Sequence, residues 1–183
     1  MKQQNIVLYV LRLSLTLLLI TGVVAAALAG VNSITAPLIE QHKNEKTQAA
    51  IEAVLPGGGT PVESFMDTTG TVRTVYESDS GYAVEVAPIG FSAEITMMVG
   101  VDHEGKVLGI SVISHTETAG LGAVAAASNS AGESFRGQFI GMEGMLSVDK
   151  DGGEVQAITG ATITSRAVVE GVNAAVACVE NLG

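Results

Sequence analysis

Cysteine occurs once, at Cys178, and tryptophan not at all. A lone thiol excludes an internal disulfide, a four-thiolate iron–sulfur cluster and a C-x-x-C-H haem attachment. Three scattered histidines leave no pattern for a structural zinc site. Any redox chemistry carried by this chain must therefore come from an organic cofactor. Aromatic residues make up only 4% of the 183, so aliphatic side chains must build the core. Basic residues are scarce too: nine against nineteen acidic ones give a net charge of −10, which argues against a nucleic-acid-binding surface.

Charge is also unevenly spread. Residues 1–39 hold Lys2 and Arg12 and no acid, while the other seven basic and all nineteen acidic residues follow. From Leu13 to Ile39 no side chain is charged, and Leu13–Val31 (LSLTLLLITGVVAAALAGV) matches the ~30 Å hydrocarbon thickness of a bilayer. Arg12 can snorkel to the headgroups at its edge. Lys2, Arg12 and the α-amino group keep the N-terminus cytoplasmic by the positive-inside rule. The rival is a cleaved signal peptide, with Ala27-Leu28-Ala29 as its cleavage site. The apolar run continues past that site through Val31 and Ile34, so an uncleaved anchor is expected. Either way the acidic body lies across the membrane.

Three parts are expected: a transmembrane anchor over 1–35, a connecting helix and linker over 36–60, and an extracytoplasmic domain over 61–183. Pro37–Leu55 has helical spacing and ends at Pro56-Gly57-Gly58-Gly59. Val72–Glu77, Tyr82–Val86, Ile95–Val101 and Lys106–Ile113 read as strands, the last pair joined by the turn Asp102–Gly105. Residues 119–134 read as loop or short irregular helix, and Ser165–Asn181 as a final helix. The fold class is α+β: a small antiparallel sheet with packed helices, tethered to one membrane span.

Two clusters carry chemistry. Thr159-Gly160-Ala161-Thr162-Ile163-Thr164-Ser165 crowds hydroxyls at a helix start, where backbone N–H groups favour a phosphate. Ordinary N-capping explains the same residues. Ser114–Gly122 (SHTETAGLG) places His115 and Glu117 two apart after a strand, as an acid/base pair, metal ligands or a plain Gly-rich turn. No third ligand stands at a sensible spacing, so no metal is expected. Leu121, bracketed by Gly120 and Gly122, suits contact with something flat.

Together the clusters resemble the FMN-binding domain family. Thr159–Ser165 is similar to its S/T-G-A-T-x-T flavinylation motif, His115–Gly122 to its H-x-E-T-P-G-L-G signature, and Gly81–Val101 to the strand region before it. With the N-terminal anchor, the resemblance extends over nearly the whole chain, towards the G subunits of Rnf-type ion-translocating oxidoreductases. The related C subunits of the sodium-pumping NADH:quinone oxidoreductase are usually longer, and membrane redox sensors with FMN domains normally carry further spans or modules. The resemblance implies FMN joined by a phosphoester to Thr164, placed there by a flavin transferase that uses FAD and Mg²⁺. It implies that Thr159, Gly160, Ala161 and Thr162 shape the phosphate surroundings, and that Glu117, Thr118, Gly120, Leu121 and Gly122 lie near the isoalloxazine ring. Two positions depart from the family: Ala119 stands in place of Pro and Gln156 in place of a frequent Asp. No nicotinamide-binding G-x-G-x-x-G is present. The implied role is an electron-carrying component, incomplete as an enzyme alone, that works with the other subunits of a membrane complex moving electrons between ferredoxin and NAD⁺ and translocating Na⁺ or H⁺.

Overall fold

A computed structural model describes residues 2–67 and 69–182. The chain divides into two compact units, 1–45 and 46–183. From Lys2 on, the first is helical and belongs to α1 (Lys2–Val54), whose last turns enter the second unit. Helix continues through Pro37, so the connecting helix expected after residue 35 is not a separate element. Between Ile6 and Ile39 every large apolar side chain of α1 is more than half exposed. Its threonine hydroxyls in the apolar stretch are satisfied within the helix: Thr16 donates to the Arg12 carbonyl (2.8 Å), Thr21 to Leu17 (2.7 Å) and Thr35 to Val31 (2.9 Å). That internal satisfaction is what a lipid environment demands of polar groups. The helix is long and apolar enough to cross a membrane.

The second unit is built on a five-stranded antiparallel sheet in simple sequential order. Its strands are β1 (Thr60–Pro61), β2 (Val72–Ser78), β3 (Gly81–Val86), β4 (Thr96–Val101) and β5 (Val107–Ser114). Four of them match the sequence reading to within a residue. β1 was hidden by its length, because two residues show no alternation. The β4–β5 turn forms as expected: Asp102 Oδ1 accepts the N–H groups of Glu104 (3.0 Å) and Lys106 (2.8 Å), and Gly105 takes φ +87°. After β5 come a 3₁₀ turn (Gly122–Ala126), α2 (Ser130–Gly137), a second 3₁₀ turn (Asp149–Asp151) and α3 (Thr162–Glu180).

Both faces of the sheet are covered, which explains why β3 and β4 are buried along almost their whole length, although Tyr82–Val86 reads as alternating in the sequence. On one face Val84, Val86, Met97, Val99 and Val101 pack with Phe135, Phe139 and the α3 residues Val168, Val172, Ala175 and Val179. On the other, Ala83 and Met98 meet Ala50, Ile51, Val54 and Leu55 at the end of α1. That approach needs Gly100, where a Cβ would lie 2.5 Å from the Val54 carbonyl oxygen. α3 is thereby pinned across the sheet, and its N-terminal turn is held rigidly in place.

Ile51 is 1% exposed and locks the last turn of α1 onto the sheet. Ile51→Ala should cost about 2–5 kcal/mol in denaturant unfolding of the full chain in detergent, followed by circular dichroism. Leu19→Ala, in the exposed stretch of α1, should leave that transition in place.

Candidate flavin site

Three loops that are distant in sequence meet at the N-terminus of α3. One is the β3–β4 connection, where Ile89 and Glu94 form a small antiparallel bridge and the Gly90 N–H donates to the Ala93 carbonyl (2.9 Å). The second follows β5, and the third runs through residues 156–161 into α3. They enclose a cleft of about 320 Å³ lined by Phe91 from the first loop, by Glu117, Thr118, Leu121 and Gly122 from the second, and by Gly160 to Thr164 at the start of α3.

α3 begins three residues earlier than its periodicity suggests. Ala161 is the N-cap and offers no side-chain cap. Ser165 does the local work instead: its N–H and its Oγ both donate to the Ala161 carbonyl (3.0 Å each), and its Oγ accepts the Ile158 N–H (2.9 Å). The hydroxyls therefore do not cap the helix. Thr162, Ile163 and Thr164 occupy its first turn, where backbone N–H groups have no intrahelical acceptor and the helix dipole is positive. No acidic residue lies in that turn. Gly160 takes φ +77°, and a Cβ there would sit 3.1 Å from Leu121 Cδ2, so only glycine lets the two loops close on one another.

The approach to α3 is tied from below. Asp149 accepts the Ala157 N–H (3.1 Å), a bond that together with neighbouring Lys150 holds its carboxyl below the usual aspartate range. Asp151 grips Arg166 through two bonds of 2.7 and 2.6 Å, and that guanidinium lowers its carboxyl similarly. Gln156 exchanges amide bonds with Gln138 (2.8 and 3.3 Å) on the exposed side of this loop.

The second loop turns at Thr118–Leu121: the Leu121 N–H donates to the Thr118 carbonyl (3.2 Å) and Gly120 takes φ +74°. Ala119 holds the position where a proline would fit such a turn. His115 and Glu117 do not act together on one target. His115 Nδ1 accepts the Glu117 backbone N–H (3.2 Å), while the Glu117 carboxylate turns inward and is only 8% exposed. Its Oε1 accepts the Ser92 N–H (2.9 Å), and its Oε2 accepts the hydroxyl of Thr164, itself 1% exposed. Among the described residues no cluster of three or more potential metal ligands occurs.

Glycine backbone is pressed against both ends of this pair. A Cβ at Gly122 would lie 2.5 Å from Glu117 Oε2 and equally close to Thr164 Oγ1, and one at Gly90 would lie 2.6 Å from Glu117 Oε1. Sequence reading missed Gly90, Phe91 and Ser92. Their signal was the apolar break Pro88–Ser92 between two strands, and only the fold reveals that it meets Glu117. Thr159 and Gly120 shape the turns and do not line the cleft.

The donor set fits a phosphorylated flavin. Free N–H groups at a helix start suit its phosphate, a hydroxyl stands at that point, and exposed Phe91, Leu121 and Ile163 offer apolar cover for a ring. Gly122→Ala should force the pair apart and destabilise the full chain by about 1–3 kcal/mol in denaturant unfolding. Gly137→Ala, with nothing near its Cβ, should not destabilise. Equal losses in the two variants would contradict the packing described.

The FMN-binding domain family matches residues 90–177, from Gly90 in the first loop through the second and third loops and most of α3. Over nearly the full length, the chain is 33% identical to the G subunit of the Na⁺-translocating ferredoxin:NAD⁺ oxidoreductase complex of Acetobacterium woodii, covering 94% of this chain and 93% of that protein. It is 34% identical to the G subunit of the proton-translocating ferredoxin:NAD⁺ oxidoreductase complex of Clostridium ljungdahlii, over 86% and 83% of the two chains. It is 33% identical to the G subunit of the ion-translocating oxidoreductase complex of Vibrio cholerae, over 85% and 81%. With its FMN-binding domain behind an N-terminal apolar helix, this chain belongs to the G-subunit family of Rnf-type ion-translocating oxidoreductase complexes.

Proposed function

We propose that this chain relays electrons through FMN carried as a phosphoester on Thr164, within an Rnf-type complex that couples electron transfer between ferredoxin and NAD⁺ to translocation of Na⁺ or H⁺. The observation that carries the reading is the position of Thr164: its hydroxyl lies in the first turn of α3, where that turn meets the other two loops of the cleft. Bound FMN supplies one- and two-electron transfer. The protein's part is placement. The N–H groups of Thr162 and Ile163, with Gly160 and Ala161, would hold the phosphate, while Leu121 and Thr118 would border the ring. A covalent link keeps the cofactor on the protein where a cell could not replace it. A separate flavin transferase makes that link, and the other subunits of the complex supply and remove electrons.

α1 anchors the chain in the cell membrane among lipid, with the N-terminus cytoplasmic and the FMN domain outside. Lys2 and Arg12 on its N-terminal flank, against the acidic body, support that orientation. A fusion after Gly183 to a reporter active only when exported should be active. Activity confined to a reporter that folds in the cytoplasm would reverse the topology.

Co-production of the full chain with a flavin transferase should give a fluorescent band that survives denaturing electrophoresis. Thr164→Val keeps the side-chain shape and removes the oxygen, so the band should vanish. Thr162→Val should keep it. Persistent fluorescence in the Thr164 variant would reject the assignment.

A further inference from the structure

Glu117 is a buried carboxylate with no counter-ion among the described residues. Among the described residues no Lys, Arg or His forms an ion pair with it, and its oxygens accept one N–H and one O–H. A carboxylate has about four acceptor directions, and this one uses two of them, one on each oxygen. Burying such a group costs free energy that a simple tie between loop and helix does not require, since an uncharged glutamine could bridge the same two residues by accepting the Ser92 N–H and donating to Thr164. Glycines at positions 90 and 122 leave room for the two oxygens where a Cβ would collide with them, so the backbone is shaped around the carboxylate in this position. What the charge adds to a hydrogen bond is basicity, and it is aimed at one hydroxyl proton.

We infer that Glu117 is the general base of the chain's own flavinylation, a step that rests on Thr164 being the acceptor. A threonine hydroxyl is a weak nucleophile until an adjacent base withdraws its proton. In the step, Thr164 Oγ1 attacks the flavin-side phosphorus of FAD presented by the transferase. The bond from that phosphorus to the oxygen bridging it to AMP breaks, and AMP leaves with the electron pair. The Oγ1–phosphorus bond forms, and the Thr164 proton passes to Glu117 Oε2. No atom changes oxidation state. The acceptor protein thus brings part of the catalytic machinery to its own modification.

The test is the rate at which the full chain acquires fluorescence stable to denaturation when incubated with transferase, FAD and Mg²⁺. Glu117→Gln keeps size and can bridge the same two residues, accepting the Ser92 N–H through its oxygen and donating to Thr164 Oγ1 through its amide, but it cannot take a proton. Its rate should fall by about 100-fold or more while its circular dichroism and unfolding stay near wild type. Glu117→Ala should be slow as well, and added formate should restore its rate in proportion to concentration, which a structural tie alone would not allow. A Gln variant labelled within about threefold of wild type, or an Ala variant indifferent to formate, would overturn the inference. Where the Gln variant does not fold, the formate response decides. If wild type labels but not at Thr164, the acceptor reading fails first and this step fails with it.

Discussion

A hydrogen bond from Thr164 to a buried Glu117 holds the functional end of this domain together. It joins residues 47 apart in sequence and links the start of α3 to the loop after β5. Ser92 completes the arrangement from the β3–β4 loop. The glycines at 90 and 122 are consequences of that junction, because each lies where a side chain would collide with one of its members. The sheet beneath it exists, in functional terms, to hold three loop ends still. Covering it on both faces, by α3 and by the end of α1, supplies the rigidity that a site placed on loops otherwise lacks.

The strands were legible because alternation and turn residues agree along them. Asp102–Gly105 announces its hairpin, and the aliphatic runs of β3 and β4 end where the chain turns. The start of α3 was less legible. Thr and Ser before an apolar periodic stretch suggest caps outside the helix, yet here Ala161 caps and Ser165 is clipped back onto the loop, which draws Thr162 to Thr164 into the first turn. The continuity of α1 was hidden by Pro37, normally a helix stop, which the helix absorbs.

At the site, chemistry was easier to see than contact. The hydroxyl cluster and the Gly-rich loop stand out as motifs, but nothing in their spacing tells that Glu117 meets Thr164. Gly90 and Ser92 carry no motif at all. Their role arises from a backbone N–H and an absent Cβ, features that any sequence can supply and none advertises. The charge pattern, in contrast, is plain at every level: the uncharged stretch Leu13–Ile39 of a long helix stands ahead of an acidic body.

The account stands on Thr164 as the residue that bears the flavin. Trypsin cleavage after Lys150 and Arg166 isolates the peptide Asp151–Arg166, which contains every hydroxyl of the 159–165 cluster. Fragmentation mass spectrometry of that peptide, from protein co-produced with a flavin transferase, is the most direct measurement. The account predicts an added mass of FMN less one water on every fragment that includes Thr164 and on none that excludes it. An unmodified peptide, or a modification confined to Thr159 or Thr162, would contradict it.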